Sequence, residues 1–477
     1  MEAARLCPRT MNSSISSPTA AASAPADALR PDFSAAASVP PLPSHIGKYR
    51  VLRRLGEGAT SEVFLCRDDF HRRDVAIKRV RASALADAQD GRYFERFFAA
   101  EAALAGKLRH PNVVEIFDAV PDPVAPYLVM EHVSGTTLRT FCKADKLLPL
   151  ELIVEIGFKC AMALGYVYRL GLIHRDVKPA NLLAVMTHDQ VTDVKVTDFG
   201  SVLNLRSDST QVYRVGSLAY MSPEQLDGST LDARADMYSL GAVLYHLVAG
   251  RPPFDAQAQS AMMNQICNLT PASLVSQRAG LSPAVDEVIQ RALAKRPDER
   301  YASWDEFAQA LSGLVSGQQV PRGQLQGVLD SERFTLLRGQ EFFVEFGDVE
   351  LWEVVHRARW QRFPYGHAIY RKGEEGKTFH IITQGEVEVY RDGQRVAQLG
   401  AGTSVGEMVY LAPSPELRLH STDVVVSAPA TTVSFTPDVV AQLSPACRHQ
   451  FDGAFIRVLV RRLHAAHESL AHPRRIL

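Results

Sequence analysis

Apolar residues along this chain repeat first at strand spacing, then at helix spacing, then at strand spacing again, and that order restricts the fold more than any other feature. Tyr49 to Leu55, Glu62 to Arg67 and Asp74 to Val80 are short runs rich in β-branched and apolar residues, separated by turn formers, which predicts antiparallel strands. Helical periodicity follows at Tyr93 to Leu108, Leu150 to Leu170, Ala235 to Ala249 and Pro283 to Ala294. After the Gly-interrupted polar stretch Ser316-Gly-Gln-Gln-Val-Pro-Arg-Gly323, strand candidates return at Phe379 to Thr383, Glu386 to Tyr390, Arg395 to Leu399 and Asp423 to Val426, with glycine turns expected between them. A helical pattern closes the series at Phe451 to Leu463.

The expected class is therefore α+β: a small sheet leading into a helical body, then a second, β-dominated domain. Length agrees, because 477 residues exceed what one hydrophobic core sustains, roughly 250 to 300. The boundaries read as a leader at 1–48, a first domain at 49–314, a linker at 315–333, a second domain at 334–463 and a tail at 464–477. The leader is dominated by Ala, Ser and Pro with almost no aromatics, a composition expected to stay disordered.

Charge excludes some partners. With 52 Lys and Arg against 53 Asp and Glu there is no global field to draw nucleic acid or a membrane surface. Cys7, Cys66, Cys142, Cys160, Cys267 and Cys447 form no short-spaced pair, as suits reduced thiols, and apolar runs such as Val243 to Val248 fall far below the ~20 residues of a membrane span. A soluble, cytoplasmic protein is expected.

Three segments carry chemistry, in order. Leu55-Gly-Glu-Gly-Ala-Thr-Ser-Glu-Val63 lies between two strand candidates, where glycines let backbone amides approach phosphates. Val75-Ala-Ile-Lys78 follows on the next strand, and Glu101, nine positions before His110, is a helix carboxylate suited to hold that lysine. The third is His174-Arg-Asp-Val-Lys-Pro-Ala-Asn181 with Asp198-Phe-Gly200. Together they supply what phosphoryl transfer asks of a protein: groups that hold phosphates, bind Mg²⁺ and orient a hydroxyl.

From Tyr49 to about Leu314 the sequence resembles the Hanks-type protein kinase superfamily, in particular its bacterial serine/threonine branch. The resemblance implies a bilobal fold that transfers the ATP γ-phosphoryl group to Ser or Thr hydroxyls of protein substrates. It implies that Asp176 orients the hydroxyl or accepts its proton, that Lys178 neutralises phosphoryl charge, and that Asn181 and Asp198 hold Mg²⁺. Leu55, Gly56, Glu57, Gly58, Ala59, Val63, Ala76, Lys78 and Glu101 are implied to surround ATP, with Glu131 and Val133 in the adenine-binding hinge. Ser61 stands where a third glycine is usual, and Ser217 where Thr is commoner. By the same resemblance Glu224 pairs with Arg300, Asp236 braces the catalytic loop, and Arg175 receives an activation-loop phosphate at Ser209 or Thr210. Lys78, Asp176 and Asp198 are all present, which argues against a kinase-like scaffold without activity.

From roughly Phe334 to Leu463 the chain resembles the cyclic nucleotide-binding β-roll, on Phe363-Pro-Tyr-Gly366, Gly373-Glu-Glu-Gly376, Phe379-His-Ile-Ile-Thr-Gln-Gly385 and Leu399-Gly-Ala-Gly402. That likeness implies a regulator of the kinase in which Gly406 and Glu407 meet the phosphate and ribose of a cyclic nucleotide. The phosphate-binding arginine is expected near position 416, and Arg418 is the candidate, two residues late. A β-roll that binds another ligand, or serves docking or homodimerisation, stays open.

Overall fold

Six antiparallel strands open the fold: β1 (His45–Ile46), β2 (Tyr49–Glu57), β3 (Ser61–Asp68), β4 (Arg73–Val80), β5 (Ile116–Val120) and β6 (Tyr127–Glu131), in the spatial order β1-β2-β3-β4-β6-β5. The computed structural model describes residues 42–58, 61–81, 98–122, 125–204, 218–321, 329–412, 414 and 418–471. The expected leader through residue 41 lies outside them, as do Ala59 and positions 93–97 of the helix predicted at Tyr93 to Leu108; of the rest, 98–102 is helical and 103–107 forms turns, so the helix ends earlier than expected.

Below the sheet the Leu150–Arg169 helix forms the axis of a helical body and is buried on nearly every face, its Glu151, Glu155 and Lys159 included. The Ala233–Ala249 and Trp304–Ser316 helices pack on it. So do two further helices, Asp330–Arg338, which begins inside the expected linker, and Asp348–Arg357, which lies in the expected second domain. Ser44–Leu477 forms one compact unit. Its main apolar core runs from the helical body through Phe334, Phe343 and Trp352 to Phe451 and Phe455, so the two domains share a core.

The second domain is a six-stranded antiparallel roll in which two long strands, Phe379–Arg391 and Asp423–Phe435, pair along their length. Two strands separated by a glycine turn were expected in place of the first. Gly385 instead sits inside one continuous strand as a bulge, at φ +82°, where an added Cβ would fall 2.2 Å from the Pro429 carbonyl oxygen. Glycine here signals the close approach of a neighbouring strand, which a sequence cannot distinguish from a turn. The closing helix spans Pro445–Ala471, so residues 464–471 are helical and the expected tail is shorter.

Between those long strands His380 is 4 % exposed, with Nδ1 2.9 Å from Thr432 Oγ1. Burial, reinforced by His420 and Arg359, pushes its pKa down to about 4. The folded form resists a proton that the unfolded chain accepts near pH 6.5, so the contribution is complete above pH 6.5 and is lost as pH falls toward 4. The loss amounts to about 3 kcal/mol. Wild type and His380→Gln compared by thermal unfolding from pH 7 to 4.5 are expected to converge as pH falls, and parallel curves would refute this.

Candidate active site

Residue alternation on β4 places Ala76 and Lys78 on one face and Val75 and Ile77 on the other. Val75 and Ile77 join the small core behind the sheet, while Ala76 joins the main core. Lys78 Nζ lies 2.8 Å from Glu101 Oε2 and 2.7 Å from Asp198 Oδ1. The Glu101 side chain is 4 % exposed and that of Asp198 40 %, so Asp198 is the one open to the cleft. Burial alone would lower the lysine pKa, but the charges of Asp198 and Glu101 outweigh it and hold the ammonium above its ordinary value. The Lys78 charge in turn holds the Asp198 carboxyl below the usual range.

The loop from His174 is pinned from behind. Asp236, near the start of the Ala233–Ala249 helix, accepts the backbone N–H of His174 at 2.7 Å and that of Arg175 at 2.8 Å. Gln225 Nε2 donates to the Arg175 carbonyl at 2.9 Å. Arg175 therefore keeps a left-handed φ of +64° with both its peptide groups held, which is how strain persists at a site. Burial raises the Asp236 pKa, opposed by His174 and the two backbone donors. His174 Nε2 lies 3.0 Å from the Thr197 carbonyl and Nδ1 3.3 Å from the Asp176 amide, which assigns Nε2–H as donor and Nδ1 as acceptor.

Bent this way, the loop presents Asp176 with Oδ2 2.7 Å from Lys178 Nζ and 2.9 Å from Asn181 Nδ2. Thr197 N–H donates to the Asn181 carbonyl at 3.0 Å, which ties this loop to the strand leading to Asp198. Asp198 itself has a φ of +68°. Of the other expected site residues, Gly56 pairs with Val63 across β2 and β3, Leu55 is exposed, and Glu57 pairs with Arg54 and Arg81. An added Cβ at Gly56 would meet nothing within 4 Å among the described residues. Val133 packs partly buried against the main core, and Glu131 pairs with Lys195 at 3.0 Å, a contact the sequence did not suggest. Ser209, Thr210 and Ser217 lie outside the described residues.

In the second domain Gly406, at φ +77°, sits so close to Tyr370 that an added Cβ would be 2.5 Å from the phenol oxygen. Glu407 follows, largely buried, and directly precedes the short Met408–Leu411 helix. Its carboxylate pairs with Arg462 of the closing helix, and Arg462 also donates to the Ser404 carbonyl at 2.7 Å. Sequence reasoning missed Arg462, since nothing local marks one arginine of that helix. The Arg418 carbonyl accepts the Gly376 N–H at 3.0 Å, and its Nε is buried without a hydrogen-bond partner among the described residues. Gly376 is also adjacent to Val409, so Arg418 lies in the neighbourhood of Gly406 and Glu407.

A small antiparallel sheet over a helical body, with the lysine and carboxylate cluster at their junction, is the architecture of a protein kinase. Residues 49–312 match the protein kinase domain family, and the chain belongs to it. Residues 360–444 match the cyclic nucleotide-binding domain family. The serine/threonine-protein kinase PknB of Mycobacterium leprae is 37 % identical over 304 residues, covering 62 % of this chain and 47 % of that protein. The protein of the same name from Mycobacterium tuberculosis is 36 % identical over 304 residues, with the same coverage. A probable serine/threonine-protein kinase of Streptomyces coelicolor is 35 % identical over 292 residues, 59 % of this chain and 42 % of that one. The chain thus spans about half the length of these relatives or less.

The helical body is locked by Glu224 and Arg300, whose paired bonds measure 2.6 and 2.9 Å with the arginine side chain fully buried. Replacing one partner leaves a buried charge uncompensated. Glu224→Ala is expected to lower stability by about 3 to 5 kcal/mol in denaturant unfolding, and a loss below 1 kcal/mol would show the pair to be incidental.

Proposed function

We propose that this chain transfers the γ-phosphoryl group of ATP to Ser or Thr hydroxyls of proteins. The observation that carries the reading is Lys78 held between Glu101 and Asp198, with Asp176 held between Lys178 and Asn181. Lys78 Nζ, fixed by two carboxylates, is positioned to meet the α and β phosphates. Asp176 orients the acceptor hydroxyl and takes its proton. Lys178, already against Asp176, offsets the charge of the transferring group. Asn181 spends its amide donor on Asp176, which leaves its oxygen as the half a hard cation takes, and Asp198 offers the more open carboxylate. Mg²⁺ held by these two would neutralise phosphate charge. Glu131 and Val133 are assigned to adenine through their backbone groups.

Asp176→Asn is expected to slow transfer by about 10² to 10⁴ while leaving the fold intact. Lys78→Met and Asp198→Ala are expected to abolish it through phosphate and Mg²⁺ handling. Labelled ATP and a generic acceptor test this, and wild-type rates in all three variants would end the enzymatic reading. Autophosphorylation at Ser209 or Thr210 belongs to the same proposal, because a phosphate there adds about −1.5 to −2 charge for Arg175 to receive. Phosphopeptide mapping of active protein checks it. No helix among the described residues is long and apolar enough to cross a membrane, and a cytoplasmic site of action is proposed with it.

The second domain is proposed to bind a cyclic nucleotide and to regulate the kinase. Support comes from the buried Nε of Arg418 near Gly406, which has no hydrogen-bond partner among the described residues and is a group of the kind a phosphate satisfies. Glu407, assigned to the ribose, already holds Arg462, so ligand and closing helix compete for one carboxylate. Calorimetry of the full chain with cAMP and cGMP is expected to show binding weakened by Glu407→Ala and Arg418→Ala. Arg462→Ala should tighten it by about fivefold, the size of a part-exposed ion pair. Absence of binding to either nucleotide would leave another ligand, docking or homodimerisation for this domain.

A further inference from the structure

The helices that join the two domains send side chains into the back of the catalytic body. At the start of the Asp330–Arg338 helix, Asp330 Oδ2 lies 2.9 Å from Lys159 Nζ, and Ser331 Oγ donates to Glu155 Oε2 at 2.5 Å. Lys159 also reaches Asp193 at 3.0 Å. From the next helix, Asp348–Arg357, the fully buried Trp352 packs edge-on against Phe158 and Phe334, with ring centres 5.4 and 5.8 Å away. Its indole N–H donates to Asn112 Oδ1 at 2.9 Å.

Asn112 is fully buried and both halves of its amide are committed. Nδ2 donates to Asp193 Oδ1 and to the Val194 carbonyl, each at 2.8 Å. Its backbone carbonyl accepts the Val196 N–H at 2.8 Å, and Val114 N–H donates back to the Val196 carbonyl at 2.9 Å. The residue thereby stitches the segment that follows Glu101 to the strand that runs into Asp198, and these two carboxylates hold Lys78. The indole satisfies the Asn112 oxygen while Nδ2 holds Asp193 and Val194. Without it a buried carbonyl loses its donor, and the strain of that unsatisfied group loosens the amide's hold on Asp193 and Val194.

We propose that Trp352 is a positioning residue for phosphoryl transfer, acting through Asn112 to hold the Glu101 and Asp198 segments in register. The proposal rests on the kinase reading above. The helix that carries Trp352 runs directly into Arg359–Phe363, a strand of the second domain, so a displacement of that domain reaches Asn112 through one residue.

Trp352→Phe keeps an aromatic ring and removes the donor. In the full chain, kcat at saturating ATP and acceptor is expected to fall about 5- to 20-fold, as for a lost buried hydrogen bond, with acceptor KM within about twofold and the folded fraction unchanged. Hydrogen exchange at the Val114 and Val196 amides should quicken about tenfold or more, confined to those two segments. Trp360→Phe, which removes an indole N–H donated to the Val355 carbonyl at 3.4 Å, should change neither readout. A Trp352→Phe kcat within twofold of wild type, a loss matched by unfolded protein, or exchange quickened equally everywhere would overturn the proposal. Should wild type transfer no phosphoryl group, the kinase reading falls by itself. The exchange arm then decides, with local quickening supporting the positioning role and unchanged protection overturning it.

Discussion

A buried ammonium between two carboxylates sets the terms for the catalytic cleft. Taking Lys78 out of water costs several kcal/mol unless partners meet it at hydrogen-bonding distance, and Glu101 and Asp198 do so from segments far apart in sequence. Neither carboxylate alone balances the site. With Glu101 withdrawn, Lys78 would lose the fully buried partner and keep the one that the cleft exposes and a cation would claim. The fold is thus obliged to bring three separate pieces of chain to one point.

The same device recurs where the chain must bend or join. Asp236 spends a buried carboxylate on two backbone amides to keep Arg175 in a left-handed conformation, Arg300 closes on Glu224, and Lys159 gathers Asp193, Asp330 and Glu155. Each buried charge is matched by a partner distant in sequence. Burial would lower the Lys159 pKa, but those carboxylates outweigh it and keep the ammonium charged. Buried charges of this sort add little net stability. They penalise every arrangement in which a partner is missing, and so favour one arrangement over its neighbours.

Much of the catalytic cleft was legible because its residues lie in short contiguous motifs whose spacing is set by backbone geometry. Lys78, Asp176, Lys178, Asn181 and Asp198 could be picked out locally, and the structure brings them together. Glu101 was harder, since one helix carboxylate resembles another until the chain folds. The long strand Phe379–Arg391 was read as two because Gly385 serves a bulge as readily as a turn. Trp352, Gln225 and Arg462 left no local signal, as each acts on a residue distant in sequence. One signal was present and unused. The Leu150–Arg169 helix is largely apolar around Glu151, Glu155 and Lys159, so its faces need cover and those three charges need partners from elsewhere in the chain.

That cover bears on regulation. A ligand shifts an equilibrium only by the difference in its affinity for the two states, so a nucleotide site on the second domain can act on the kinase only if the contact between them differs between states. A shared apolar core resists partial separation, because opening it exposes Phe158, Phe334 and Trp352 together. A small rotation that keeps the aromatic cluster closed yet misdirects one indole N–H is far less costly. It breaks a single hydrogen bond, and that bond satisfies the amide linking the Glu101 and Asp198 segments. Release of Arg462 from Glu407, as proposed for nucleotide binding, would provide a matching small change at the other end, since both residues belong to the domain whose first strand follows the Trp352 helix. Coupling of about 1 to 3 kcal/mol, the usual range between linked sites, is the size that one or two such bonds supply.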